Sequence, residues 1–253
     1  MNFYGAKTSF FYPSFFILML FLGSCKKDDK PGTPLPPPYT TSSAEAALQW
    51  ADLILYTVKN TASNTPTYTS RSLGYLGVGM YQSVQSGSGR HLSLNKQLND
   101  LSNLPEVKEG ETYEWVISLN ACQANLIKKL YPHMKDNTKA KVDSLYNLIY
   151  KAQLQKNISL AIVSRSVKFG EDVANAVYNW SLTDGGHEGY RNNFPNIEIP
   201  KGPGKWTPPA NGQVNSLLPL HPFWGTNRTF ITANKSLAIP EMIPYSTDPA
   251  SPY

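Results

Sequence analysis

Cysteine is scarce in this 253-residue chain: only Cys25 and Cys122 are present. A disulfide framework is therefore excluded, and with Cys25 otherwise engaged no intrachain bridge can form. Charge is also sparse, at 16% Asp, Glu, Lys and Arg. The net charge is +5, but the basic residues are scattered rather than blocked. No nucleic-acid partner is expected from such a pattern. The four histidines are dispersed, with no metal-ligand spacing. Long apolar runs are rare as well: Phe10 to Leu22 is the one that stands out. What remains is enough for one large domain or two small ones, burying roughly 70% of the unfolded surface.

The apolar run belongs to the first recognisable feature. Lys7 gives a positive n-region, and FFYPSFFILMLFL has the length of a signal h-region and is short for a membrane span. Leu22-Gly23-Ser24-Cys25 follows. Small residues before a cysteine admit a signal peptidase, and the thiol can carry a diacylglyceryl group. This matches the lipobox of bacterial lipoproteins. Residues 1–24 are thus expected to be a lipoprotein signal peptide, with Cys25 the lipidation site. Each buried methylene contributes about 0.8 kcal/mol, so two or three acyl chains would hold a soluble domain on a membrane. Residues 25–41 read as a tether. Lys26 to Lys30 is fully charged, and PGTPLPPP favours extended polyproline geometry. The charged run resembles surface-export signals of Bacteroidetes lipoproteins; a plain solvated spacer is an equal reading. The expected location is the bacterial envelope, on the periplasmic or surface face of the outer membrane.

Residues 42–253 are expected to form an all-α domain of about five helices followed by an irregular wrap. Ser42 and Glu45 make a capping-box pattern before AALQWADLILYTVKN, which is apolar on most sides and suggests burial in a bundle. A second helix follows Pro66, with Leu73, Leu76, Gly77, Met80, Tyr81 and Val84 on one face. Gly74, Gly77 and Gly79 weaken it intrinsically, and close helix–helix approach is the expected compensation. A polar stretch, 86–110, precedes a third helix from about Glu111 to Tyr131. Cys122 lies in it and is expected to be buried and inert. The fourth helix begins near Asp136, with Val142, Leu145, Tyr146 and Ile149 inward. The fifth spans about Ile158 to Leu182, with Leu160, Val163, Val167, Gly170, Ala174 and Val177 as its stripe and Gly185-Gly186 ending it.

From Pro195 to Pro252 there are eleven prolines in 58 residues and no helical period, yet Trp206, Phe223, Trp224 and Phe230 are embedded there. Disordered linkers are poor in aromatics, so an ordered wrap over the helices is expected.

Several stretches together resemble the vanadium-dependent haloperoxidases of the type 2 phosphatidic acid phosphatase superfamily, in their Bacteroidetes lipoprotein form. They are Trp50–Asn60 with Arg71–Val84, Phe169–Asp172 leading to Trp180–His187, Gly202–Pro209, and Pro219–Phe230. The resemblance covers roughly Ala46 to Tyr253 and only the N-terminal half of such an enzyme. It implies a vanadate or phosphate oxyanion held between cationic side chains, with a histidine in line with the central atom. The family supplies those groups as Lys with Arg-Pro, Pro-Ser-Gly-His, and Arg with a spaced His and Asp. These 253 residues contain none of the three, and no Arg-Pro dipeptide at all. No catalytic, cofactor-binding or metal-binding residue is therefore assigned. Vanadate or phosphate would bind in a missing C-terminal half, and the chain alone is expected to be inactive.

Two local patterns compete for attention. Ser86-Gly87-Ser88-Gly89-Arg90-His91 looks like a mangled Ser-Gly-His motif but reads as a loop. His187 with Arg191 could touch an anion; a helix C-terminal histidine answering the dipole is the simpler reading. His133 and His221 lie beside prolines in loop-like sequence. Trp180, Trp206 and Trp224 read as packing rather than a substrate platform. The expected partners are a membrane, through the anchor, and either a homo-oligomer or the missing catalytic half. The alternative to a truncated enzyme is a stand-alone, non-catalytic envelope lipoprotein used for binding or assembly.

Overall fold

Helix signals in the sequence fix five segments, and a computed structural model places them. It describes residues 44–208, 217–235, 237–238 and 240–253, all within the compact unit Pro37–Tyr253. Ser42, Cys25 and the segments around them lie outside the described residues. The helices are α1 (Glu45–Asn60), α2 (Pro66–Gln82), α3 (Trp115–Leu130), α4 (Asp136–Leu154) and α5 (Leu160–Ser181). Four short 3-10 turns accompany them, and no strand occurs among the described residues. The protein is all-α.

Local chemistry explains the boundaries. Pro66 opens α2, where a missing N–H costs nothing. Asp136 and Lys151 sit in the first and last turns of α4, complementing its dipole. Ser159 caps α5, its side chain accepting from Ile162 N at 3.4 Å. α1 departs from the expected cap: it begins at Glu45, with Ala44 in the capping position and no side-chain cap. α3 begins four residues later than Glu111, because Glu111 is drawn into an ion pair with Arg165 at 2.7 Å.

α3 is the central helix, contacting each of the other four. Its buried residues run round most of its circumference, from Ile117 to Leu130. The buried polar residues Ser118, Asn120 and Gln123 of this helix each bond to a neighbouring helix. Asn120 Oδ1 accepts from Trp50 Nε1 at 3.0 Å, and its Nδ2 donates to Tyr146 O at 2.9 Å, joining α1, α3 and α4. Ser118 Oγ donates to Ser166 O at 3.1 Å across to α5. Cys122 is fully buried, and burial pushes its thiol up to about 12, so it is an inert packing residue.

Glycines set the two closest helix approaches. A Cβ on Gly79 would lie 2.7 Å from Leu126 Cδ2 and 3.2 Å from Cys122 Sγ, so α2 meets α3 there. A Cβ on Gly170 would collide with the Ser118 carbonyl of α3. Gly74 and Gly77 do not play the expected part. Gly74 accommodates the Phe230 ring instead of a helix, and Gly77 faces open space.

The helix faces also needed correction. α2 buries Tyr68, Arg71, Ser72, Tyr75, Leu76, Gly79 and Gln82, a face rotated from the apolar stripe, with Leu73 and Gly77 exposed. The rotation follows from the ion pair that Arg71 makes below. On α5 the stripe holds at Val163, Gly170, Ala174 and Val177, while Val167 is only half-buried and Leu160 is 78% exposed at the open end of the helix. α1 buries Trp50, Ile54 and Thr57, but Leu48 and Leu55 face outward, so it is amphipathic rather than enclosed.

Candidate functional site

α2 starts at Pro66, so Tyr68, Arg71, Ser72 and Tyr75 share one inward face at i, i+3, i+4 and i+7. Asp184 lies three residues beyond the end of α5 and meets that face. Arg71 Nε donates to Asp184 Oδ2 at 2.6 Å and Arg71 Nη2 to Oδ1 at 3.0 Å, a bidentate pair with side chains 4% and 3% exposed. Arg71 Nη2 also donates to Ser181 O at 2.5 Å. Tyr75 OH donates to Asp184 Oδ2 at 2.8 Å, and Gly186 N to Oδ1 at 2.8 Å. Burial first, and the Asp184 carboxylate second, hold the Tyr75 phenol well above its usual range. All four lone-pair directions of Asp184 are thus occupied.

The C-terminal segment closes over this node. Arg228 N donates to Asp184 O at 2.8 Å. Its guanidinium donates through Nη1 to Thr183 Oγ1 at 2.8 Å and through Nη2 to Trp180 O at 2.6 Å, and lies over the Trp180 ring. Arg71 and Arg228 together bond the last carbonyls of α5 and answer its dipole. Phe230 packs against Tyr75 and Trp180, with centroids 4.9 and 5.0 Å apart. Asn99 completes the junction: its N donates to Phe230 O at 2.9 Å, and its carbonyl accepts from Trp180 Nε1 at 2.9 Å.

An open cavity of about 340 Å³ lies at this junction, lined in part by Arg71, Gly74, Trp224, Asn227, Arg228 and Phe230. Its chemistry is limited. The Asp184 carboxylate is fully engaged as an acceptor by Arg71, Tyr75 and Gly186. Arg71 Nη1 and Arg228 Nε have no hydrogen-bond partner, but both are sealed from solvent beneath protein atoms. No histidine lines the cavity. The node is a structural pin joining α2, α5 and the C-terminal segment.

Compared with solved structures, the chain is similar to the first bacterial vanadium-dependent iodoperoxidase. The superposition has a TM-score of 0.63 at 22% identity and covers 82% of this chain and 48% of that one. The chain has a haloperoxidase-like fold. It spans about half the length of that enzyme. No family model and no curated protein matches it. Three of the four stretches that carry the resemblance converge on the pin: Arg71 and Tyr75 from the second helix, Asp184 and Gly186 after the fifth, Arg228 and Phe230 from the last. The Gly202–Pro209 stretch does not join them, and its described residues are largely exposed. The pin does not fit a vanadate or phosphate oxyanion, because every accessible guanidinium donor in it is already committed and no imidazole faces it.

The other residues singled out from sequence are dispersed. His187 is exposed, edge-on to Tyr178 rather than on the α5 carbonyls, which the two arginines have taken. Arg191 pairs with Glu188 at 2.8 Å. His91 is exposed and bonds Ser88 Oγ at 2.7 Å within its own loop. Trp180 is core, Trp224 half-buried and Trp206 46% exposed. Gly185 forms a turn at φ 90° four residues beyond the end of α5, so it does not terminate the helix. Cys25 lies outside the described residues. Sequence reasoning gave no role to Asp184, Arg228 or Asn99, although Asp184 and Arg228 lie in stretches that carry the resemblance. The available signal was Arg71, a charge on the inward side of an otherwise weakly charged helix.

Proposed function

We propose that this chain is the N-terminal helical portion of a lipid-anchored envelope protein of the vanadium-dependent haloperoxidase or acid-phosphatase type, inactive by itself. The observation that carries this reading is the superposition of 82% of the chain on 48% of a vanadium-dependent iodoperoxidase. The sequence supports the second half of it: the oxyanion-binding motifs are absent from these 253 residues. In this reading the five helices and the pin form a scaffold, and vanadate or phosphate would bind on a partner half. Acylation of Cys25 would hold the scaffold on the outer membrane, its Lys26–Pro38 stretch acting as spacer.

Two measurements on the full chain test the proposal. Purified protein is expected to bind no vanadate stoichiometrically and to oxidise no halide with peroxide. Tight binding with turnover overturns the inactive reading and favours a site on this chain. In a bacterial host, Cys25→Ala protein is expected to stay unprocessed, while the native chain is acylated and sediments with membranes. Normal processing and membrane retention of the alanine protein overturns the anchor.

A further inference from the structure

Among the described residues, His133 and Tyr190 form the shortest ring contact. Their rings stack with centroids 3.6 Å apart and planes 14° apart. His133 lies in the loop between α3 and α4, directly after Pro132. Tyr190 lies in the 3-10 turn Gly189–Arg191 and is 7% exposed. Tyr190 is edge-on to Tyr68 at 5.1 Å, and Tyr131 is edge-on to Tyr68 at 6.0 Å, so the stack closes an aromatic cluster. Neither His133 ring nitrogen makes a well-aligned hydrogen bond, both are covered by protein atoms, and the Ala62 backbone is the one acceptor that favours the charged ring.

The turn that Tyr190 anchors carries other contacts. Gly189 O accepts from His221 Nε2 at 3.0 Å, and Asn193 O accepts from His221 N at 2.9 Å. His221 Nδ1 is hydrogen-bonded to Thr67 Oγ1. Asn193 Nδ2 donates to Ser63 O at 2.9 Å. The turn begins at Glu188, whose φ of 51° is unfavourable for a residue with a side chain. The 188–193 segment is therefore held down by its partners rather than by its own backbone preference, and His133 covers one whole face of its anchor.

We propose that the His133–Tyr190 stack is an acid-released latch: a proton on His133 undocks the 188–193 turn, and with it the His221–Trp224 corner, while the five helices stay folded. An imidazolium in this position would hold two charged N–H groups covered by protein atoms, with only the Ala62 backbone and Glu188 to favour it. Attraction to the Tyr190 face offsets only part of that cost, so the charged ring turns out to solvent. The charged groups around His133 partly cancel. Glu188 favours the proton, Arg191 opposes it, and the two are paired with each other. Arg71 lies over Tyr68 and is neutralised by Asp184. Tyr131, Tyr68 and Tyr190 are neutral phenols held above their usual range chiefly by burial. Burial is the largest influence on His133 and lowers its pKa, with Arg191 adding to it and the neighbouring Ala62 backbone opposing. The sign follows: released His133 titrates near 6.5 and latched His133 lower. The latch is thus at full strength above about pH 6.5 and weakens as pH falls from there toward the latched value.

Amide hydrogen exchange on the full 253-residue chain between pH 8 and 5, corrected for intrinsic rates, tests this together with an NMR titration of the histidine rings. Protection across residues 188–193 and 221–226 is expected to fall about tenfold for each unit separating the two His133 values, with α3 and α5 amides unchanged. His133→Phe keeps a flat ring without the proton and is expected to retain protection at pH 5. Acid loss undiminished in His133→Phe, or simultaneous loss across α3 and α5, overturns the latch. If His133→Phe loses helix content at pH 8, the native chain decides: loss of protection that coincides with the His133 ring titration supports the latch, and separate midpoints overturn it. His221→Gln is expected to leave the acid midpoint in place; its disappearance would assign the switch to His221 and sink the proposal.

Discussion

At the scale of single residues, the pin is where the molecule has most to lose. Asp184 accepts from Arg71, Tyr75 and Gly186 in a site closed to water. Asp184→Asn keeps the shape but leaves Arg71 as an uncompensated buried cation. Removing one partner of such a pair costs roughly 3–5 kcal/mol. At about 2–4 °C per kcal/mol for a domain of this size, the melting temperature is expected to drop by some 10 °C. A calorimetric shift under about 2 °C would show the pair to be solvated. Little of this was legible beforehand. Arg71 and Asp184 are 113 residues apart, and a local pattern reports the periodicity of one helix, not the residue that will face it. The resemblance did mark both segments, since Arg71 opens one quoted stretch and Asp184 lies in another. It marked them for a lineage of oxyanion chemistry, and in this structure they serve as a fastening.

At the scale of elements, the sequence was more informative. Pro66, Asp136 and Ile158, as read from the sequence, place three helix starts to within two residues, because helix-start and proline preferences are local. The apolar stripe of α5 was legible from its periodicity at Val163, Gly170, Ala174 and Val177, though not at Val167. The face of α2 was not, since its inward side carries Arg71, Ser72 and Gln82, which hydropathy assigns outward. Glycine gives a paired test. Gly77 sits in a helix with nothing near its would-be Cβ, so Gly77→Ala is expected to stabilise by up to about 1 kcal/mol. Gly170 lies against the Ser118 backbone, so Gly170→Ala is expected to cost about 3 kcal/mol by forcing α3 and α5 apart. Denaturant unfolding of both variants checks the opposite signs; equal effects would mean that the α3–α5 contact is looser than the structure has it.

At the scale of the whole molecule, apolar exposure is uneven. Among the described residues after Pro200, Trp206, Leu217, Phe223, Leu237, Met242 and Tyr253 are all large, apolar and strongly exposed. The wrap expected from its aromatics is therefore only half a wrap: Phe230 and Trp224 pack on the helices, and much of the rest faces outward. Surfaces of this kind draw partners or self-associate. The full chain is expected to bind a hydrophobic dye and to elute larger than a monomer at micromolar concentration, and a dye-silent monomer would contradict this. No helix among the described residues is long and apolar enough to cross a membrane.

The central place of α3 has a consequence in time. Synthesis proceeds from the N-terminus, so α1 and α2 exist before the helix they pack on, and α3 exists before α5, its most extensive neighbour. Asn120 cannot join Trp50 to Tyr146 until α4 is made, and Arg71 stays an unpaired cation until Asp184 arrives. Contacts spanning so much chain must wait for their late partner. A nascent chain that stops short of α5 accordingly lacks the most extensive partner of α3, and the Arg71–Asp184 fastening is the later of these two joints to close.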